Sequence, residues 1–178
     1  YADHFLLPFL ESLEELGIKP EVYRADVMYK EGEFVEAIKT ALTRRDDIAR
    51  ILKDVSGRDV PENWSPFQAI CECCGRTNTT KVIGFNPETE TVDYECQCKS
   101  KGTVSMRGGG KLVWRVDWPA RWPIFKVTVE PFGKDHATLG GSYDTSRRIS
   151  EEIYDWPAPH PVIYEFFTIN GEKISSSK

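Results

Sequence analysis

The chain has 178 residues, a formal net charge of −5, and 40% hydrophobic, 12% aromatic and 29% charged residues. This composition excludes a disordered chain and predicts a water-soluble protein of one ordinary domain or two small ones. The acidic balance argues against a protein that coats nucleic acid, because such proteins are normally basic overall. No apolar run reaches the ~20 residues of a membrane helix and no secretory leader starts at Tyr1, so we expect a cytoplasmic protein.

The first 66 residues are predicted to form a helical connecting segment. Apolar residues recur at helical spacing over residues 2–17 and again over residues 34–55, which predicts two amphipathic helices. Between them, residues 20–25 are predicted as a short strand. Residues 58–66 contain two prolines and no periodicity, so they mark a linker at the end of this segment, residues 1–66.

All five cysteines lie close to two predicted strands, residues 81–85 and 91–95, which a turn joins into a hairpin. Structural zinc prefers four thiolate ligands, and a hairpin can bring two pairs of cysteines together. We therefore predict a zinc ion bound by four of them: Cys71, Cys74, Cys96 and Cys98. The last pair has only one spacer residue, so Cys73 remains an alternative to Cys98. The odd count argues against disulfides, and we predict a zinc-ribbon-like β insertion over residues 67–112.

Residues 99–126 form a basic strip, which has seven lysines and arginines but a single acidic residue, Asp117. Three tryptophans at positions 114, 118 and 122 are interleaved with these charges. This combination is typical of surfaces that contact phosphates and stack on bases. Three core tryptophans beside exposed arginines would produce the same pattern. The glycine run that precedes Lys111 lacks the Gly-Lys-Ser/Thr ending of a phosphate-binding loop.

The last third of the chain predicts a βαβ unit. Residues 125–129 and 162–167 are predicted as buried strands, and residues 146–154, with Thr145 as a cap, as the helix between them. A βαβ unit belongs to a parallel sheet, in which ligands bind at the loops that leave the carboxyl ends of the strands. We therefore expect an α/β fold and a ligand site near the loop over residues 130–136.

Three segments resemble motifs of the class I aminoacyl-tRNA synthetases. The end of the chain resembles the KMSKS signature, with Lys173-Ile174-Ser175-Ser176-Ser177. The loop Gly133-Lys134-Asp135-His136 resembles the Gly-x-Asp-His/Gln loop of the same class. The tryptophan segment over residues 114–122, with residues 142–145 and 164–166 downstream, is similar to class I lysyl-tRNA synthetases, a form found in archaea and some bacteria. The resemblance covers essentially the whole chain and implies the second half of a Rossmann-like nucleotide-binding fold over residues 113–178.

The resemblance implies a lysine–tRNA ligase, which activates L-lysine with ATP and Mg²⁺ and transfers the lysyl group to tRNA(Lys). The residues implied for the triphosphate are those of the KMSKS-like loop: Lys173, Ser175, Ser176, Ser177 and Lys178. Ser176 replaces the second lysine of the signature, so the lysine that meets the pyrophosphate stays open. The residues implied for the adenylate are Gly133, Asp135 and His136. Those implied for the lysine pocket are Trp114, His136 and Tyr164, with Asp117 and Glu165 as alternative carboxylates.

Two elements of this class are missing from the sequence. None of the three histidines begins a His-Ile-Gly-His-like motif, and no anticodon-reading region follows the KMSKS-like loop. We therefore expect a catalytic-domain fragment of a longer protein, unable to activate lysine by itself. Two alternatives remain: a non-catalytic zinc-ribbon module that binds RNA through the basic strip, and a class I synthetase for another amino acid.

Overall fold

A computed structural model describes residues 2–57 and 59–174 of the chain. In this part of the chain the fold is mixed α/β, with six helices and four small sheets. None of these helices combines the length and the apolar character needed to cross a membrane. The helices are α1 (Ala2–Glu15), α2 (Ala25–Glu31), α3 (Val35–Thr43), α4 (Arg45–Ser56), α5 (Trp114–Phe125) and α6 (Ser142–Ile153). The strands are β1 (Phe67–Ala69), β2 (Thr80–Asn86), β3 (Thr91–Cys96), β4 (Lys101–Ser105), β5 (Gly110–Leu112), β6 (Val129–Gly133), β7 (His160–Tyr164), β8 (Thr168–Ile169) and β9 (Glu172–Lys173).

Residues 20–25 do not form the predicted strand. The chain is irregular before α2, which begins at Ala25, buries Met28 and Tyr29, and ends at Gly32 with a left-handed φ of 90°. The prediction was wrong because these residues have no strand to pair with in the described part of the chain. From Ala25 the residues that pack inward, Met28 and Tyr29, follow at intervals of three and four residues, which is helical spacing.

The first predicted helix is confirmed by α1, but the predicted helix over residues 34–55 is two helices. α3 and α4 meet at Arg44, whose φ of −97° and ψ of 24° interrupt the helix. The Arg44 Nε donates to Asp47 at 2.6 Å, and its Nη1 donates to the backbone oxygen of Glu152 at 3.2 Å. Both helices bury their apolar faces in the same core. The hydrophobic pattern therefore crosses the break without revealing it.

The predicted hairpin is confirmed by β2 and β3, which pair antiparallel with Thr80 opposite Cys96. β4 extends this pair to a three-stranded sheet, called the ribbon below, and β1 pairs with β5 beside it. Sequence reasoning missed β1, β4 and β5, which are only three to five residues long. A Cβ on Gly110 would collide with the ring of Phe67. The glycine before Lys111 thus permits close packing of β5 on β1.

The predicted βαβ unit is confirmed, with β6 and β7 parallel and α6 between them. Its predicted boundaries were wrong. Of the predicted strand over residues 125–129, only Val129 lies in a strand, because α5 runs to Phe125 and β6 begins at Val129. The spacing of four residues between successive tryptophans is helical, and the helix accommodates Pro119 and Pro123.

Two further expectations for this unit were wrong. The second strand is not buried, since Val162, Ile163 and Tyr164 are 47%, 54% and 46% exposed. Thr145 is not a cap: α6 begins three residues earlier, and Thr145 is buried inside it, where its hydroxyl donates to the backbone oxygen of Gly141. An apolar run of four residues specifies a strand but does not tell whether another layer covers it.

Asp117 connects three elements in the interior. Its carboxylate accepts hydrogen bonds from the Tyr29 hydroxyl at 2.6 Å and from Arg121 Nε at 2.7 Å. The same hydroxyl accepts a hydrogen bond from the backbone N–H of Leu112 at 3.1 Å. Burial, together with the neighbouring Asp117 charge, raises the pKa of Tyr29, so it stays protonated as a donor. This network fixes the start of α5 against α2 and β5, and thereby positions the tryptophans.

Candidate functional site

A pocket of about 570 Å³ lies at the carboxyl ends of the parallel strands β6 and β7. Its walls come from the start of α5, the turn after β6, the segment after β7 and the β8–β9 hairpin. Seven of the residues singled out from the sequence line it: Trp114, Gly133, Asp135, His136, Tyr164, Glu165 and Lys173. Ser175, Ser176, Ser177 and Lys178 lie outside the described residues. A single cavity therefore collects side chains that are far apart in sequence.

The turn after β6 places Asp135 at the pocket. The backbone N–H of Lys134 donates to the Tyr164 oxygen, and that of His136 donates to the Gly133 oxygen, both at 3.0 Å. A Cβ at Gly133 would lie 2.6 Å from Asp135 Oδ1. A side chain at this position would displace the carboxylate, so Gly133 leaves room for Asp135 in its observed place. The Asp135 side chain is 56% exposed, so it is available to a ligand.

Aromatic rings form one wall of the pocket. Trp114 and Trp118 stack with ring centroids 5.3 Å apart and planes at 14°. The His136 ring lies 6.0 Å from Trp114 and 5.5 Å from Trp118. Trp114 is 51% exposed, whereas Trp118 is 6% exposed. Trp114 therefore has an indole ring that is accessible to a ligand, and the more deeply buried Trp118 packs against this ring.

Glu130 is a pocket residue that sequence reasoning missed. Its two carboxylate oxygens accept hydrogen bonds from Trp118 Nε1 at 3.2 Å and Trp122 Nε1 at 3.1 Å. Glu130 and the buried Phe132 are two residues apart on β6 and share one face of the strand, so both side chains face α5. In the sequence, the only indication of this role is an acidic residue two positions before the core residue Phe132. It could be used only once this segment was known to be a strand packed on the tryptophan helix.

The β8–β9 hairpin brings Lys173 to the pocket. Asn170 and Gly171 form its turn with φ values of 52° and 82°, as the sequence predicted. Lys173 Nζ lies 3.5 Å from the centroid of the Phe166 ring. Lys134 Nζ lies 4.9 Å from the same centroid and forms an ion pair with Glu165. Two ammonium groups thus gather at one aromatic ring on the pocket rim.

None of the lysines and arginines of the basic strip lines this pocket, and several of their charges are neutralised. Lys101 pairs with Glu95, Arg107 with Glu90 and Arg121 with Asp117. Asp117 is not in the pocket wall either, because its carboxylate is buried and turned toward Tyr29 and Arg121. A neighbouring cavity of about 440 Å³ shares Trp114 with the first pocket, and its lining includes Asp117, Lys111 and Arg121.

The second candidate site is a cluster of four cysteines at one end of the ribbon. The sulfur atoms of Cys71, Cys74, Cys96 and Cys98 all lie within 4.8 Å of one another. The 3.6 Å between the sulfurs of Cys71 and Cys98 and the 3.7 Å between those of Cys74 and Cys96 are too long for disulfides, which need ~2.05 Å. Cys73 is exposed and lies outside the group. The geometry thus selects Cys98 over Cys73 as the fourth member.

A tight turn holds the first pair of cysteines, Cys71 and Cys74, in place. The N–H of Gly75 donates to the Cys71 oxygen at 2.7 Å, and Gly75 has a φ of 69°. The backbone N–H groups of Cys74 and Cys73 lower the pKa of the Cys71 thiol to about 6. At Cys98 the N–H of Ser100 favours the thiolate, but the neighbouring sulfurs and burial outweigh it and raise the pKa to about 12. Four thiolates this close need a cation, and a set of four sulfur ligands is typical of Zn²⁺.

Comparison with known proteins places the whole chain in one family. Residues 1–178 match the family model described as tRNA synthetases class I (K). The chain is 60% identical to the lysine–tRNA ligase of Methanosarcina barkeri, over 99% of the chain and 33% of that protein. It is 54% identical to the lysine–tRNA ligase of Archaeoglobus fulgidus, over 100% of the chain and 36% of that protein. It is 40% identical to the lysine–tRNA ligase of Thermoplasma volcanium, over 97% of the chain and 34% of that protein. The chain spans about a third of the length of these relatives.

Proposed function

The chain belongs to the class I tRNA synthetases for lysine, and we propose that it supplies part of the catalytic domain of a longer, cytoplasmic lysine–tRNA ligase. In such an enzyme the carboxylate of L-lysine attacks the α-phosphate of ATP, and pyrophosphate leaves. A ribose hydroxyl at the end of tRNA(Lys) then attacks the lysyl-adenylate, and AMP leaves. The observation that carries the proposal is the single pocket in which the three family-like segments meet at the carboxyl ends of parallel strands.

The adenylate is assigned to the turn after β6. Asp135 accepts hydrogen bonds from the ribose hydroxyls, because its exposed carboxylate is an acceptor fixed by its turn. Gly133 leaves room for that carboxylate and for close approach of the nucleotide. His136 lines the pocket between this turn and the indole wall. These residues act by holding the adenylate in place, and such positioning contributes strongly to the rate.

The triphosphate is assigned to the end of the β8–β9 hairpin. Lys173 rests on the Phe166 ring at the pocket rim and can move onto the phosphates of MgATP, where its charge offsets that of the leaving pyrophosphate. Ser175, Ser176, Ser177 and Lys178 follow directly in sequence and are proposed to complete this loop. The protein then contributes positioning and charge, as expected for phosphoryl chemistry.

The amino acid is assigned to the aromatic end of the pocket. The butyl chain of lysine packs on Trp114, with His136 and Tyr164 on its other sides. Tyr164 is 46% exposed at the end of β7, so its ring and hydroxyl are available to a ligand. Aromatic faces suit both parts of this substrate, since they bind an apolar chain and attract an ammonium group.

The cysteine cluster is assigned a structural Zn²⁺ that closes the ribbon. Four sulfur ligands leave no open position for a substrate, which is typical of structural rather than catalytic zinc. The chain then divides into a helical connecting segment (residues 1–66), a zinc-ribbon-like insertion (67–112) and the second half of a Rossmann-like catalytic domain (113–178). The metal stabilises an insertion whose strands are too few to form a large core alone.

Lysine-dependent ATP–pyrophosphate exchange by the full-length protein that carries this chain tests the proposal. We expect exchange with lysine and little with the other amino acids, whereas the 178-residue chain alone should show none. Exchange that depends on a different amino acid would indicate a synthetase of other specificity. RNA binding without any exchange in the full-length protein would instead support a non-catalytic zinc-ribbon module.

A further inference from the structure

Three carboxylates of the described chain line the pocket, and only Glu130 is half-buried without a lysine, arginine or histidine within ion-pair distance. Glu165 forms an ion pair with Lys134. Asp135 lies 3.9 Å from His136 Nε2 and is more than half exposed to water. Glu130 has hydrogen bonds to two indoles, and no lysine, arginine or histidine of the described chain lies within ion-pair distance of it. Glu130 therefore contributes a negative charge that the described chain does not neutralise.

The surroundings make this charge costly to leave unpaired. Glu130 is half-buried and lies beside the buried rings of Trp118, Trp122 and Phe132. An ionised carboxylate in such surroundings is destabilised unless a cation or several hydrogen bonds compensate it. The two indole N–H groups provide one hydrogen bond to each oxygen, but they carry no net charge, and each oxygen keeps a free lone pair. Among the described residues, Glu130 is therefore compensated by neutral donors alone.

The two indole bonds also fix where that donor must lie. Because each oxygen is held by a different tryptophan, the carboxylate cannot rotate without losing a hydrogen bond. The carboxylate is therefore held in one orientation at the pocket wall. An ammonium group on an apolar chain fits both this carboxylate and the aromatic wall beside it.

We infer that Glu130 is a specificity-determining residue that binds the ε-ammonium group of the amino-acid substrate. The inference rests on the proposed function, and it changes the carboxylate expected for this role. Asp117 is already neutralised by Arg121 and does not line the pocket, and Glu165 is already neutralised by Lys134. Glu130 binds the substrate directly, while Trp118 and Trp122 are positioning residues that orient it.

The test uses Glu130→Gln in the full-length protein, assayed by ATP–pyrophosphate exchange with lysine and with 6-hydroxynorleucine, a neutral analogue of similar shape. Loss of one charge-assisted contact should raise the KM for lysine by about 30-fold or more. The KM for the neutral analogue should change little, so the preference for lysine should fall by a similar factor. A purely structural role for Glu130 would instead affect both substrates equally.

Two further variants serve as controls. Glu151→Gln changes an exposed carboxylate on α6, away from the pocket, and should leave both KM values unchanged. Glu165→Gln tests the rival carboxylate. The inference would be overturned if Glu165→Gln raised the KM for lysine while Glu130→Gln left it unchanged. It would also be overturned if Glu130→Gln left the preference for lysine over the neutral analogue unchanged.

A second substitution keeps the test decisive if Glu130→Gln does not fold. Glu130→Asp retains the charge but withdraws it by one methylene. Homolysine is one methylene longer than lysine, so the ratio of kcat/KM for homolysine to kcat/KM for lysine should rise. An unchanged ratio of homolysine to lysine would contradict the inference. Absence of lysine-dependent exchange in the unmodified protein would overturn the proposed function itself, which keeps the two failures distinct.

Discussion

Replacing Cys71 with serine should remove the metal and unfold the ribbon. The Cys71 side chain is fully buried, and its sulfur lies 3.6 Å from that of Cys98, within the group of four sulfurs. Serine is a poor zinc ligand, and structural zinc in small modules contributes on the order of 10 kcal/mol of folding free energy. We expect the zinc content to fall from about one ion per chain to nearly none. Elemental analysis of the purified protein measures the zinc, and amide hydrogen exchange measures the ribbon.

Cys73→Ser is the matched control for this prediction. Cys73 is two residues away in sequence but exposed and outside the sulfur group, so its replacement should leave both zinc content and amide protection unchanged. The same assay applied to Cys98→Ser should show zinc loss. Zinc retained in Cys98→Ser but lost in Cys73→Ser would mean that the fourth ligand has been assigned to the wrong cysteine.

Replacing Asp135 with alanine should abolish most adenylate formation without disturbing the fold. The carboxylate is 56% exposed, so it contributes little to stability, but it is the hydrogen-bond acceptor proposed for the ribose. Loss of one preorganised contact to the reacting complex typically costs 10²–10³-fold in rate. We expect kcat/KM for lysine-dependent ATP–pyrophosphate exchange in the full-length protein to fall by about 100-fold or more. The melting temperature should remain that of the unmodified protein.

Asp59→Ala provides the comparison for Asp135. Asp59 is 86% exposed and pairs with Lys53 at 2.9 Å, away from the pocket, so its loss should leave exchange unchanged. Activity retained in Asp135→Ala would remove the turn after β6 from the proposed adenylate site. Equal losses in both variants would show that the effect does not depend on the position of the carboxylate.

The sequence predicts best the features that depend on local spacing. The pairs Cys71/Cys74 and Cys96/Cys98 flank a hairpin, so local chain geometry alone brings them together. The turn at residues 170–171 follows from the Asn-Gly dipeptide. The parallel pairing of β6 and β7 follows from the strand–helix–strand pattern, because a helical connection favours parallel strands. Each prediction needed only contacts between neighbouring elements.

The features that sequence reasoning missed depend on contacts between distant elements. Glu130 could not be recognised as a pocket residue until β6 was aligned with α5, since its partners are Trp118 and Trp122 on that helix. Asp117 was expected as a possible lysine ligand, but Tyr29, 88 residues earlier, turns it into an interior hydrogen-bond acceptor. A side chain's role in a site depends on its partners, and periodicity does not identify partners across the fold.

A structure of the full-length protein with a non-hydrolysable lysyl-adenylate analogue would test the proposed positions of ribose, butyl chain and ammonium group together. We expect the ribose hydroxyls at Asp135, the butyl chain against Trp114, and the ε-ammonium group within hydrogen-bond distance, about 3 Å, of a Glu130 carboxylate oxygen. An analogue bound in the neighbouring cavity at Tyr29 and Lys111, or one whose ammonium group pairs with a different carboxylate, would contradict these positions.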